Sequence, residues 1–273
     1  MPSPTTIVLG VKANFGISDC GQVMAEVTKS ALASVEPEGV YEHLAIGNLR
    51  EGYTIAYKDS TGNDTICFDV FETSKSINCV SNKICRNDKT ELVKVTESVT
   101  TDGLISIRQT FIVPKNSTRV LIRMEIRNCA TNLSLDKANL SDLLIKRYAD
   151  IDVDTGGNAG WASFLGRWDK DRYSVFNYNL DSDAPTGKRS HIVNMVAMPS
   201  DLPLDGTFVC RFGDHFAVRE NLDQVTTLPS DRIDANGILQ WKASRFLPGE
   251  IFIINMYYDT YRSFALDKEI IIG

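Results

Sequence analysis

The stretch LISIRQTFIVPKNSTRVLIRMEIRN, residues 104–128, decides how this chain folds. Apolar and polar residues alternate through both of its halves. Ile105, Ile107, Phe111 and Val113 face one way, while Ser106, Arg108 and Thr110 face the other. Val120, Ile122, Met124 and Ile126 repeat the pattern, with Arg123, Glu125 and Arg127 opposite. Period-two alternation marks a strand with one face in a core. The link from Pro114 to Thr118 is turn chemistry, so the two runs predict an antiparallel hairpin.

Working outward, strands are expected at Thr6–Lys12, Tyr53–Tyr57, Thr65–Thr73, Leu92–Val99, Leu143–Asp154, Ser174–Tyr178, His191–Ala197, Phe208–Phe212, Ile238–Trp241, Glu250–Tyr258 and Glu269–Ile272. Asp102-Gly103, Asp205-Gly206, Asn236-Gly237 and Pro248-Gly249 punctuate them as turns. Strands at this spacing predict an all-β, antiparallel supersandwich, read as a single domain over 1–273. A minor N-terminal helix is expected, capped by Ser18 or Asp19. Val23, Val27 and Ala31 would share its face, and Glu36 to Gly39 would stop it. A further helical turn is expected around Leu135–Leu144. Polar loops at Asp181–Arg189 and Asn221–Asn236 are long enough to cover a site.

The 273 residues carry a net charge of -6, with 43% hydrophobic and 23% charged residues. With no Lys/Arg-rich block to offset that charge, a nucleic-acid partner is not expected. Apolar runs fall far short of the roughly 20 residues that span a bilayer, so no membrane partner is expected either. The start of the chain lacks the pattern of a signal peptide, and the chain reads as cytoplasmic. The six cysteines form no C-x-x-C pair, which argues against a zinc ribbon. Reduced, mostly buried thiols are expected, with Cys67 and Cys129 in apolar runs. An even count leaves open a secreted, disulfide-bearing form, in which the sequons at Asn63, Asn116, Asn132 and Asn139 would matter.

The chemistry concentrates between residues 143 and 178. In LLIKRYADIDVD, alternation puts Lys146, Tyr148, Asp150, Asp152 and Asp154 on one face. Carboxylates two apart on a strand lie about 7 Å from each other and need cations nearby. Calcium at Asp150, Asp152 and Asp154 is one source, since it takes all-oxygen ligands. A solvated, salt-bridged sheet face is the other. Arg147 points to the apolar side, where a guanidinium must be paired. Glu125, Glu97 or an anionic or carbonyl ligand would serve.

An aromatic segment follows, WASFLGRWDKDRYSVFNYN, residues 161–179. Trp161 and Trp168 are expected at a ligand, whereas Phe164 and Phe176 suit core. Three histidines, His43, His191 and His215, are the proton-transfer candidates near neutral pH. No G-x-S-x-G, P-loop, H-E-x-x-H or G-x-G-x-x-G is present.

The run VLIRMEIRN, a polar insert, LLIKRYADIDVD and a segment ending DRYSVFNYN together resemble large bacterial and fungal β-sandwich proteins of uncertain function. Their supersandwich is similar to the galactose-mutarotase fold. The resemblance covers Arg119 to Ala197. It implies a sandwich with a sugar cleft; the catalytic His and Glu of the mutarotases are matched to no residue here.

Two functions are therefore expected of one site. The first is an isomerase or cyclase of specialised metabolism acting on a small-molecule ligand in an aromatic-lined cavity. Trp161, Trp168, Tyr178 and Tyr148 would shape it, Arg147 or His191 would polarise a carbonyl, and Asp152 would accept a proton. The second is a lectin-like carbohydrate-binding module, with calcium at the aspartates and no chemistry. No organic cofactor is expected in either, and oligomeric state is not legible.

Overall fold

The computed structural model describes residues 5–9, 13–23, 33–35, 51–70, 76–130, 139–151, 164–167, 173–178, 191–211, 213–219 and 235–262. Every regular element among them is a strand, and neighbours in each sheet are antiparallel. A three-stranded sheet runs β1 (Thr5–Leu9), β2 (Ala13–Ser18), β3 (Ala33–Val35). A five-stranded sheet has the order β14 (Leu204–Arg211), β15 (Ala235–Phe246), β10 (Leu140–Asp150), β4 (Glu51–Lys58), β5 (Asp64–Val70). An eight-stranded sheet begins β11 (Phe164–Arg167), β12 (Ser174–Tyr178), β13 (His191–Ala197), β16 (Ile251–Arg262). It continues through β9 (Arg119–Asn128), β8 (Ile105–Pro114) and β7 (Glu91–Thr100) to β6 (Ile77–Asn87) at its edge.

The hairpin of residues 104–128 is the centre of the large sheet. β8 and β9 pair from Ile105↔Asn128 to Ile112↔Leu121, and their alternate positions are buried. That apolar face meets the inner face of the five-stranded sheet. Ile107, Phe111, Ile122 and Met124 share one core with Ile55, Ile145, Leu239 and Trp241. Phe15 and Ile17 of β2 complete it. Two sheets each bury one apolar face against the other, which is what the alternation demands.

The helix expected from Ser18 is not formed where it can be seen. Residues 13–18 are strand, a tight turn follows at 19–22, and Val23 bridges back to Ile17. Ser18 does cap, but it caps this turn, its Oγ accepting from the amides of Cys20 and Gln22. Val27 and Ala31 lie outside the described residues. The helical turn expected at Leu135–Leu144 is overturned from Leu140 on, where β10 begins. β10 sits centrally between β4 and β15, and hydrogen bonding on both edges outweighs local helical pattern. β3, β6 and β11 were not legible, because none of them alternates cleanly; β2, also not expected, does alternate, with Ala13, Phe15 and Ile17 apolar and Asn14 and Ser18 polar. The loop expected at 181–189, the loop expected at 221–236 up to residue 234, and the strand at Glu269–Ile272 lie outside the described residues; Ala235 and Asn236, expected in the second loop, begin β15.

Of the six cysteines, expected to be mostly buried, Cys20, Cys67 and Cys210 are buried, and Cys79 and Cys85 are exposed. Cys129, expected inside an apolar run, is half-exposed. Among the described residues no helix is long and apolar enough to cross a membrane.

Trp241 tests the core directly. It is 1% exposed, and its backbone pairs with Ile145 on one side and Leu204 on the other. Trp241→Ala should cost about 3–5 kcal/mol in urea unfolding through the cavity it leaves. A loss below about 1 kcal/mol would contradict this packing.

Candidate functional site

β10 passes through three environments, and each acts on a different part of the 143–154 run. In its middle, Arg147 and Glu51 are both 0% exposed and joined inside the sandwich. Arg147 Nε donates to Glu51 Oε1 at 2.6 Å, Nη1 to Gln109 Oε1 at 2.8 Å and Nη2 to the Gly21 carbonyl at 3.2 Å. Glu51 Oε1 also accepts from the Tyr258 hydroxyl at 2.8 Å, and Oε2 from the Val23 amide at 2.6 Å. Burial lifts the Glu51 carboxyl above its ordinary range, while the Arg147 charge and these donors pull it back. The partners expected for Arg147 are replaced. Glu125 bonds Arg123, and Glu97 accepts from Ser81. Both sit on the outer face of the large sheet, which Arg147 does not face.

The turn at 19–22 enters the same network. Gly21 has φ +92°, and a Cβ there would stand 2.2 Å from Gln109 Nε2. Only glycine fits, both for the left-handed backbone and for the close approach. Gln22 Nε2 reaches Asp69 Oδ1 at 2.6 Å, and Gln109 Nε2 donates to the Cys20 carbonyl at 3.3 Å. Lys94, fully buried, holds the turn from the other sheet through the Ile17 carbonyl at 3.2 Å and Asp19 Oδ1 at 2.9 Å.

On the opposite face of β10, the solvated surface expected there is corrected as far as Asp150. Lys146, Tyr148 and Asp150 are all buried. Residues 213–219 lie across Lys146 and Tyr148 as a strap. Lys146 Nζ donates to the carbonyls of His215 and Val218, Tyr148 Oη to that of Gly213 at 2.9 Å, and Thr54 Oγ1 to that of Phe216 at 2.7 Å. The Phe216 ring packs edge-on to Phe68 and Tyr148 at 5.0 and 5.5 Å. Burial pushes Lys146 down to about 7. Two carbonyl acceptors need only two N–H donors, so the neutral amine satisfies both. Tyr148, expected at a ligand, thus lies beneath the strap.

At its C-terminal end β10 leaves the five-stranded sheet beside β12. Asn177 Nδ2 of β12 donates to the Ile151 carbonyl. Gly237, paired with Ala149, lets Val175 and Ile151 close over it: an added Cβ would stand 2.9 Å from Val175 Cγ1. Tyr178 ends β12 opposite Ile192, one residue from His191 at the start of β13. The structure thus brings Asp150 and the backbones of Tyr178 and His191 to one end of the sandwich. Arg147 is not there; it lies three positions back along β10, about 10 Å. Asp152, Asp154, Trp161 and Trp168 lie outside the described residues, the two tryptophans flanking β11 in sequence.

Among the described residues two clefts of about 700 Å³ open elsewhere. One is charged, lined by Lys58, Asp64, Asp142, Arg219 and Lys242 on the outer face of the five-stranded sheet. The other is more apolar, lined by Tyr173, Met198, Leu202 and Leu204 at the far end of β12 and β13 from Tyr178. Sequence reasoning missed Glu51, Gln109, Tyr258 and the strap. Gln109 alone carried a signal, as a polar residue on the apolar face of β8.

Two outcomes follow from the groups on β10. Arg147→Met should cost about 3–5 kcal/mol, since it strands the Glu51 charge. Adding Glu51→Gln should recover part of that loss; a double variant no better than the single one would contradict the pairing. For Lys146, the folded value lies near 7 and the ordinary one at 10.5. Between them the unfolded chain binds a proton that the folded chain has released, so stability rises with pH across that window. Below about pH 7 both states hold the proton and the slope ends. Lys146→Met should flatten the rise, read from urea midpoints at successive pH values.

No family model matches the chain, and no curated protein matches it. Solved structures do. The chain is similar to a bacterial glucoamylase complexed with acarbose, at 8% identity and a TM-score of 0.47, over 97% of this chain and 33% of that one. It is similar to the galactosidase domain of an α-galactosidase-sucrose kinase, at 8% identity and 0.39, over 94% and 40%. It is also similar to a protein assigned as an aldose 1-epimerase from Escherichia coli K12, at 10% identity and 0.38, over 95% and 99%. The chain therefore spans about a third of the glucoamylase chain and 40% of the galactosidase chain. At these scores the sandwich rests on the strand pairing described above.

Proposed function

We propose that this β-sandwich binds a carbohydrate or a comparably polyoxygenated small molecule where β10 leaves the five-stranded sheet, and acts on it as an isomerase. The observation that carries the reading is the Asn177–Ile151 hydrogen bond. It ties the exit of the aspartate strand to the strand that ends the aromatic segment. Aromatic faces stack on sugar rings, and carboxylates accept sugar hydroxyls. In this reading Trp161, Trp168 and Tyr178 hold the ring. Asp152 takes the proton, and His191 polarises or protonates the carbonyl oxygen. Arg147, committed to Glu51, keeps the frame rather than touching ligand. Asp150, Asp152 and Asp154 would supply the oxygens for calcium if the ligand is bound through a metal.

Ligand-detected NMR against a panel of aldoses, ketoses and sugar acids tests both levels, with anomer and epimer signals followed over time. Trp161→Ala and Trp168→Ala should keep the native circular dichroism and weaken binding about tenfold or more. Where binding does not need calcium, Asp152→Asn should leave it intact and slow turnover by roughly 10²–10⁴. Binding without turnover in the parent protein would identify a non-catalytic module. No binding across the panel, with or without calcium, would refute the site.

A further inference from the structure

β6 differs from every other strand of the large sheet. Ten of its eleven residues are exposed, and among the described residues no strand lies beyond it. Val80 and Ile84 are 64% and 46% exposed, although both are large and apolar. Native sheets usually hide or charge such an edge. This edge is nearly symmetric in sequence about Asn82. Ser81 and Lys83 flank it, then Val80 and Ile84, then Cys79 and Cys85, then Asn78 and Arg86.

The geometry points to β6 as the contact of a two-fold homodimer, pairing antiparallel with β6 of a second copy about Asn82. An isologous edge requires a self-complementary strand, and this near-palindrome supplies one. In this register Val80 faces Ile84 and Cys79 faces Cys85, and the pairing runs from Asn82 out to Ile77 against Asn87.

Charge selects the same occupant. Cross-strand partners on the outer face run Glu125, Arg108, Glu97, Ser81. In the dimer register Ser81 faces Lys83 of the second copy. With strands about 4.8 Å apart, that ammonium reaches Glu97 across Ser81. It continues the alternation of sign, and it does so twice by symmetry. Arg86 meets Asn78, so no like charges stand directly opposite.

Light scattering on the full chain, across a dilution series, tests this. The expected mass is twice the 30.3 kDa of the chain. Ile84→Lys should give a monomer with unchanged circular dichroism. Lys83→Glu should raise the dimer dissociation constant on the order of tenfold, and adding Glu97→Lys should restore it. A monomer at every concentration overturns the proposal, including one that captures an added extended peptide along β6. A dimer indifferent to Ile84→Lys and to the charge swap overturns it equally.

Discussion

A guanidinium and a carboxylate shut away from water set the arrangement of this sandwich. Neither Arg147 nor Glu51 is tolerable in the interior alone. Each therefore requires the other and a full set of hydrogen bonds. Those bonds come from every layer: Glu51 and Arg147 from the five-stranded sheet, Gln109 and Tyr258 from the eight-stranded sheet, and Gly21 and Val23 from the turn after β2. Apolar packing would let two sheets slide by a residue pair. A satisfied buried ion pair does not, because a slip leaves charge without a partner. Its contribution is to uniqueness of packing more than to net stability.

The same constraint explains why β10 carries unlike residues side by side. A central strand has two faces and both are buried here, so each polar residue needs a dedicated partner. Arg147 turns inward to Glu51. Lys146 and Tyr148 turn outward, where the 213–219 strap offers main-chain carbonyls in place of water. Lys146 meets this burial by shedding its proton more easily than an exposed lysine. The strand then leaves the sheet at Asp150 and Ile151, where Asn177 holds it beside β12. Frame, strap and candidate site are thus consecutive stretches of one strand, and the first two fix where the third begins.

Much of the fold was legible because burial on one face writes a period of two into a strand. β8, β9, β12 and β13 are legible from alternation and turn chemistry alone. β6 was not, since a strand exposed on both faces has no reason to alternate. The start of the expected N-terminal helix, from Ser18 to Val23, is replaced for a related cause. Val23, Val27 and Ala31 have helical spacing, but β2 found partners in β1 and β3, and the capping residue Ser18 serves a turn as well as a helix. The burial of Lys146 and Tyr148 was not legible, because a sequence does not show which loop lies over a strand.

By itself the sequence determined the all-β class, the central hairpin, the inward orientation of Arg147 and its need for a partner. These follow from local periodicity and from the cost of burying charge. The tertiary structure alone decided who that partner is. Glu51 lies 96 positions from Arg147 along the chain, Gln109 38 and Tyr258 more than a hundred. Nothing local in a sequence ties residues that far apart. Only the order of strands in the sheets and the register between them bring those atoms within hydrogen-bond reach.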